Sequence, residues 1–121
     1  NTLMRIFYYL SSCDTCKRIA KELSIDNSIT QIDIKKNPIS NCQLVELYQI
    51  TGSYEDLVNK RAQLFKHNNL KNQNLNEEGY RALLLEHYTF LKRPVLLYDK
   101  IIFIGNSAKT VLAAKTFLNE K

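Results

Sequence analysis

A chain of 121 residues with 45% hydrophobic and 24% charged content has the size and makeup of one domain, 1–121, around one core. No apolar run approaches the ~18 to 20 residues of a membrane span and no basic n-region with a cleavage site opens the chain, so a soluble cytoplasmic protein with no membrane partner is expected. Seventeen Lys and Arg against twelve Asp and Glu give +5. No Lys/Arg-rich run with interleaved aromatics stands out, so the surplus reads as a solvated face and no direct nucleic-acid contact is expected.

Asn1 to Leu3 precede Met4 and read as a short tail or an appended remnant, since a start at Met4 leaves the first strand whole. The apolar and aromatic run from Leu3 to Leu10 predicts that strand. The chain then turns polar at Ser11 and Ser12, presents Cys13, and enters a helical pattern with Ile19, Ala20 and Leu23 on its apolar face. Cys13 is thus expected where a strand hands over to a helix. The first N–H groups of a helix are unpaired and its dipole places partial positive charge beside the sulfur; both favour thiolate over thiol. Lys17 and Arg18 follow within one turn, so Cys13 should titrate below the free-thiol value of about 8.5.

Cys16, three residues on, is near enough to attack a sulfur carried by Cys13, and C-x-x-C after a strand is the spacing of a redox dithiol. Two small buried residues of a packed helix would give the same letters without the chemistry. Cys42 is remote and only His67 and His87 remain, so zinc lacks its ligands and no metal is expected. One close pair among three cysteines does not form a secreted disulfide framework; it suits reactive thiols in a reducing compartment.

The first helix should end near Asp26-Asn27, and Ile29, Ile32 and Ile34 mark a second strand through Thr30 to Ile34. Strand, helix and strand this close must pair in parallel by a right-handed crossover. Lys35-Lys36-Asn37-Pro38 break the strand. Ser40 with Gln43 makes a capping box for a helix carrying Leu44, Leu47, Tyr48 and Ile50, with Cys42 in its first turn. Thr51-Gly52-Ser53 punctuate the chain, and Leu57, Val58, Ala62, Leu64 and Phe65 suggest short helical pieces. His67 to Asn76 reads as a surface loop, then Asn74 or Asn76 caps a helix from about Glu77 to His87 with Tyr80, Leu83 and Leu84 on its apolar face. His67 and His87 are expected to be solvated or capping.

After Pro94, Val95 to Tyr98 and Ile101 to Ile104 predict a hairpin through Asp99-Lys100, whose turn type is open because that dipeptide is not a preferred one. Gly105-Asn106-Ser107 open a last helix in which Val111, Leu112, Ala114 or the Lys115 stem, and Leu118 should pack back on the sheet. The order is βαβ, then ββα, around a helical insertion at about 40–90. No Gly-rich phosphate loop or H-E-x-x-H pattern appears, so nucleotide-dependent chemistry is not expected.

Three blocks, Y-x-x-x-x-C-D-T-C-K-R at Tyr8 to Arg18, N-K-R-A-Q-L-F at Asn59 to Phe65 and F-L-K-R-P-V-L-L at Phe90 to Leu97, make the whole chain resemble the ArsC-like arsenate reductases and their relatives, the Spx transcription regulators and YffB-like thiol reductases. The resemblance implies an α/β, thioredoxin-like fold with an inserted helical subdomain. It also implies that Arg61 and Arg93, whose planar forks suit oxyanions and carboxylates, hold an oxyanion on the nucleophilic sulfur. Pro94 matches the family's cis-proline, which in thioredoxin-like folds faces the reactive cysteine.

Three departures from the arsenate-reducing pattern stand out. Arsenate reductases usually carry a third arginine after the last strand where this chain has Asn106, usually lack a cysteine where Cys16 stands, and often have histidine in place of Tyr9. The C-x-x-C and the K-R-A-Q-L-F block resemble the Spx regulators. The sequence-based expectation is therefore an ArsC-like thiol oxidoreductase: Cys13 as nucleophile, Cys16 as resolving thiol, Lys17 and the helix terminus holding the thiolate, and Arg61 and Arg93 orienting arsenate or another small anionic or thiol substrate. No cofactor is bound; electrons come from glutathione, glutaredoxin or thioredoxin. The alternative is a regulator that binds RNA polymerase and is switched by a Cys13–Cys16 disulfide.

Overall fold

Arg5–Tyr9 form β1, flanked on both sides: the sheet order is β2-β1-β3-β4, with β2 at Thr30–Asp33, β3 at Val95–Tyr98 and β4 at Ile101–Ile104. The computed structural model describes residues 4–121, and the tail expected at Asn1–Leu3 lies outside them. Two compact units divide the chain, residues 1–37 with 93–121, and residues 38–92.

In the first unit β1 pairs with β2 in parallel, Tyr9 opposite Asp33, and with β3 in antiparallel, Tyr8 opposite Val95. The parallel pair is the expected crossover, made by α1, Asp14–Glu22. Phe7 of β1 and its partner Leu96 of β3 face a buried cluster with Ile19 and Leu23 from α1, Ile29, and Val111 and Ala114 from α5, Ala108–Asn119. Ile6 and Tyr8, of the other parity, are buried as well, so β1 reads as a continuous apolar run rather than an alternation. Because β3 runs against β1, its leading residues Arg93 and Pro94 emerge at the end of the sheet from which Cys13 follows β1.

Two sequence expectations in this unit are corrected. The first helix ends at Glu22, not near Asp26-Asn27: Ser24 adopts φ +55, and the Ile25 N–H bonds to the Ala20 carbonyl at 3.0 Å while the Ser24 N–H bonds to Lys21 at 3.1 Å. That is a Schellman termination with serine in the left-handed position usually given to glycine, which is why no breaker residue announced it. Leu112, expected against the sheet, is 64% exposed, because one helical step of 100° from Val111 turns it off the Val111 and Ala114 face. The hairpin forms as expected. Of its two turn residues only Asp99 has positive φ, +59, which is the pattern of a II′ turn and not of I′.

Among its described residues the second unit contains helices and 3₁₀ turns, with one isolated bridge between Val58 and Leu91. Ser40 starts α2, Asn41–Thr51, through the full capping box: Gln43 N–H to Ser40 Oγ at 3.1 Å and Ser40 N–H to Gln43 Oε1 at 2.9 Å. Gly52 closes α2 at φ +71, where a side chain would be strained. α3, Gln63–His67, follows, and α4, Glu77–Glu86, is capped by Asn76. The segment expected as a loop between them holds a 3₁₀ turn at Leu70–Asn72, and Leu70 is buried. Glu77 accepts the Tyr54 and Glu55 N–H groups at 2.6 and 3.3 Å, satisfying the start of the 3₁₀ turn Glu55–Leu57.

Candidate active site

Cys13 is the N-cap of α1, with extended backbone and no side-chain cap bond. Its N–H reaches back to the Leu10 carbonyl at 3.0 Å and its own carbonyl accepts from Lys17 at 3.2 Å, so the residue sits between a tight turn and the first helical bond. Its sulfur occupies the place a serine or aspartate oxygen takes at an N-cap.

Burial alone would raise the Cys13 pKa, but it is outweighed by the nearby Cys16 and Thr15 N–H groups and the Cys16 thiol, whose polarity favours the thiolate, and by the positive charge of the Arg93 guanidinium. The net direction is down from the ordinary thiol value. Cys16 goes the other way. Fully buried in α1, it is pushed up to about 11 by burial, by donating to Cys13 and by the neighbouring Cys13 charge, against the opposing Leu10 N–H and Arg93. One helical turn therefore holds the more acidic thiol beside the less acidic one, and neither is in a disulfide.

The cation acting on this pair is Arg93. Lys17, in the first turn, is exposed, and Arg18 leans on Glu22 at 3.7 Å along the helix surface, where water screens its charge. Arg93 Nε and Nη1 are buried without a hydrogen-bond partner. The peptide bond from Arg93 to Pro94 is cis, and the Pro94 carbonyl accepts the Gly105 N–H at 2.9 Å. Asn106, exposed, thus stands one residue from a direct bond to Pro94.

Five of the six expected site residues, Cys13, Cys16, Lys17, Arg93 and Pro94, fall in the first unit. Arg61 belongs to the second, where its side chain is exposed and its N–H donates to Asn59 Oδ1 at 3.0 Å in a turn leading into α3. Its neighbour Lys60 pairs with Glu55, which also receives the Tyr80 hydroxyl at 3.3 Å. Cys42, in the same unit, is a free and exposed thiol in the first turn of α2. His87 caps the 3₁₀ turn Tyr88–Phe90 by accepting the Thr89 N–H at 3.2 Å. Sequence reasoning missed Ser11 and Asp33, which bond to each other beside Cys13. The available signal was a carboxylate between Ile32 and Ile34 at the end of a buried strand, a place that requires a partner.

The sequence profile of the ArsC family matches residues 8–114. A curated relative from Bacillus cereus, named global transcriptional regulator Spx 2, is 29% identical over 96% of this chain and 94% of its own length. Among solved structures, the arsenate reductase from Vibrio cholerae superposes with a TM-score of 0.74 at 21% identity, over 94% of this chain and 99% of that one. An arsenate reductase related protein from Brucella melitensis gives 0.68 at 25% identity, over 93% and 95%. These neighbours share the thioredoxin-like fold with its helical insertion.

Proposed function

From the premise that this chain belongs to the ArsC family, we propose that it is a thiol-disulfide oxidoreductase of the reducing cytoplasm, acting on a small anionic substrate through Cys13. The observation that carries the reading is the placement of the pair, Cys13 part-exposed at the N-cap of α1 and Cys16 buried one turn on, where their surroundings push Cys13 down and Cys16 up to about 11. A nucleophile must be ionised while its resolving partner waits protonated, and groups in one site pushed apart mark such a division of roles.

On a disulfide substrate, the Cys13 thiolate attacks one sulfur, forms a mixed disulfide and releases the other half as thiolate. Cys16 then gives up its proton, that departing thiolate being an available acceptor, and attacks the Cys13 sulfur. The second half leaves, a Cys13–Cys16 disulfide remains, and two electrons have passed to substrate. Two glutathione molecules, or glutaredoxin or thioredoxin, restore the dithiol. On arsenate the Cys13 thiolate attacks arsenic and one arsenic-bound oxygen leaves as water, taking its protons from solvent; a donor thiolate then attacks the Cys13 sulfur to form a disulfide, and the electron pair of the sulfur–arsenic bond leaves with arsenite. Arg93 supplies the positive charge beside Cys13 that an anionic substrate requires, and Pro94 follows it just ahead of β3. The absence of a third arginine at Asn106 favours a disulfide or another thiol substrate over arsenate.

Turnover of arsenate and of a small disulfide, each supplied with glutathione and glutaredoxin, tests the reading. Disulfide turnover that disappears in Cys13→Ser is expected. If arsenate is turned over weakly, Asn106→Arg should raise the rate, by less than the ~10²- to 10³-fold of a well-formed donor because the graft lacks its supporting residues. The Spx name of the Bacillus cereus relative favours a second reading, a regulator that binds RNA polymerase and responds to the same disulfide. Inertness toward every substrate together with retention of a purified polymerase subunit would replace the first reading with the second.

A further inference from the structure

We infer that Asp33 is a positioning residue for Cys13, acting through Ser11: its buried carboxylate holds the Leu10–Cys13 turn in the form that aims the first N–H groups of α1 at the sulfur. The inference deepens the oxidoreductase reading and rests on Cys13 being its nucleophile. Asp33 ends β2 and is the one buried charged residue among the described residues, 6% exposed. It accepts the Ser11 hydroxyl at 2.5 Å and the Lys35 N–H at 3.1 Å, while its own carbonyl accepts from Asn37 at 2.8 Å. The Ile34 N–H bonds to the Tyr9 carbonyl at 2.9 Å, so the end of β2 is tied to the end of β1 just ahead of the turn.

The geometry of that turn explains the purpose of the link. Cys13 N–H to Leu10 O closes four residues, and Ser11 is the second of them. With the turn pinned at its backbone by Leu10 and at its flank by Asp33, the chain enters α1 along one path. That path sets how the Thr15 and Cys16 N–H groups stand toward the N-cap sulfur of Cys13, which they stabilise as thiolate without closing a full cap bond. A carboxylate is costly to bury unless its oxygens are bonded. Here a hydroxyl and an amide satisfy it, and they hold it below the usual carboxylate range, the Ser11 hydroxyl foremost, so it stays an acceptor at neutral pH. Lys36 is the charged group acting on Asp33; Cys16 from α1 and Arg93 from the lead into β3 are those acting on Cys13.

Positioning and simple charge make opposite predictions. A negative charge near a thiolate raises the pKa of the thiol, so if Asp33 acted only by charge, its removal would lower the Cys13 midpoint. If it acts by holding the turn, loss of the link raises that midpoint.

The test is the alkylation rate of Cys13 against pH, followed by mass spectrometry of its peptide in the natural chain and in Ser11→Ala, Asp33→Ala, Asp33→Asn and Ser11→Thr, each checked by circular dichroism. Ser11→Ala and Asp33→Ala should raise the midpoint, and neutral alkylation should slow by roughly tenfold for every tenfold loss of thiolate. Asp33→Asn and Ser11→Thr, which keep an acceptor and a donor, should retain most of the natural rate. An unmoved or lowered midpoint in folded Ser11→Ala overturns the inference while leaving Cys13 as nucleophile; that variant decides alone if Asp33→Ala does not fold. A natural chain whose Cys13 titrates as an ordinary thiol overturns both readings together.

Discussion

The two units differ in what they leave unsatisfied. Residues 1–37 with 93–121 carry eleven Lys and Arg against six Asp and Glu, whereas residues 38–92 carry six of each, so the whole surplus of +5 resides in the unit that holds Cys13. In the second unit the polar groups answer one another: Glu77 caps a turn, Lys60 pairs with Glu55, and Arg81 donates to Asn41 at 3.1 Å and lies 3.5 Å from Glu78. In the first unit, buried side-chain atoms without a hydrogen bond occur on Arg5, Asp99 and Arg93. Arg5 and Asp99 face each other at 3.4 Å, which leaves Arg93. A buried polar group without a partner within the fold calls for an explanation, and the chemistry proposed at Cys13 would supply one for Arg93.

The largest effect should come from the thiols. Cys13→Ser is expected to abolish turnover and remove the fast phase of alkylation at neutral pH, while Cys42→Ser should leave both unchanged. If Cys42 in the second unit alkylates first, the contrast between the units is lost.

Next comes the comparison of arginines. Arg93→Ala should lower kcat/KM by about 10²- to 10³-fold, as expected for a donor to developing negative charge. Arg61→Ala, from the second unit, should cost less, and an equal loss would show that the second unit contributes to the chemistry as strongly as the first.

Stability should divide along the same line. Phe7→Ala, at the centre of the sheet cluster, should destabilise by about 3–5 kcal/mol, against about 1 kcal/mol for Ser40→Ala, which removes the α2 cap. Denaturant midpoints with unchanged slopes check both, and Ser40→Ala should leave the titration of Cys13 where it is.

The smallest effect is the pH response. Cys16 is raised in the fold, so its neutral form contributes stability that is complete below the ordinary thiol range and is lost as pH rises through about 11. Glu55 is lowered, first by the bond from Lys60, so its contribution is present above the ordinary carboxylate range and is lost as pH falls. Thermal unfolding across pH should show the alkaline slope flattened in Cys16→Ala and the acid slope in Glu55→Gln. No change in the alkaline slope would mean that Cys16 is not the buried, protonated partner.

What the sequence determined by itself was local. Ser40 and Gln43 form their capping box because both partners lie within one turn. Cys13 stands at a strand-to-helix junction because the period of its neighbours changes there, and the hairpin follows from two β-forming runs two residues apart. The three family blocks carried the fold further than periodicity could. What only the tertiary structure decided involved groups far apart in the chain or hidden in conformation. The α1 end depends on Ser24 accepting a left-handed φ, which composition does not announce. The cation for Cys13 is Arg93, eighty residues away, and not its neighbours Lys17 and Arg18, because antiparallel pairing of β3 brings the former to the sulfur while helical geometry leaves the latter in water. Ser11 and Asp33 meet across 22 residues only because β2 lies in parallel beside β1. A reactive sulfur can be located from local pattern, whereas its electrostatic and positional environment is assembled by pairings that sequence spacing does not encode.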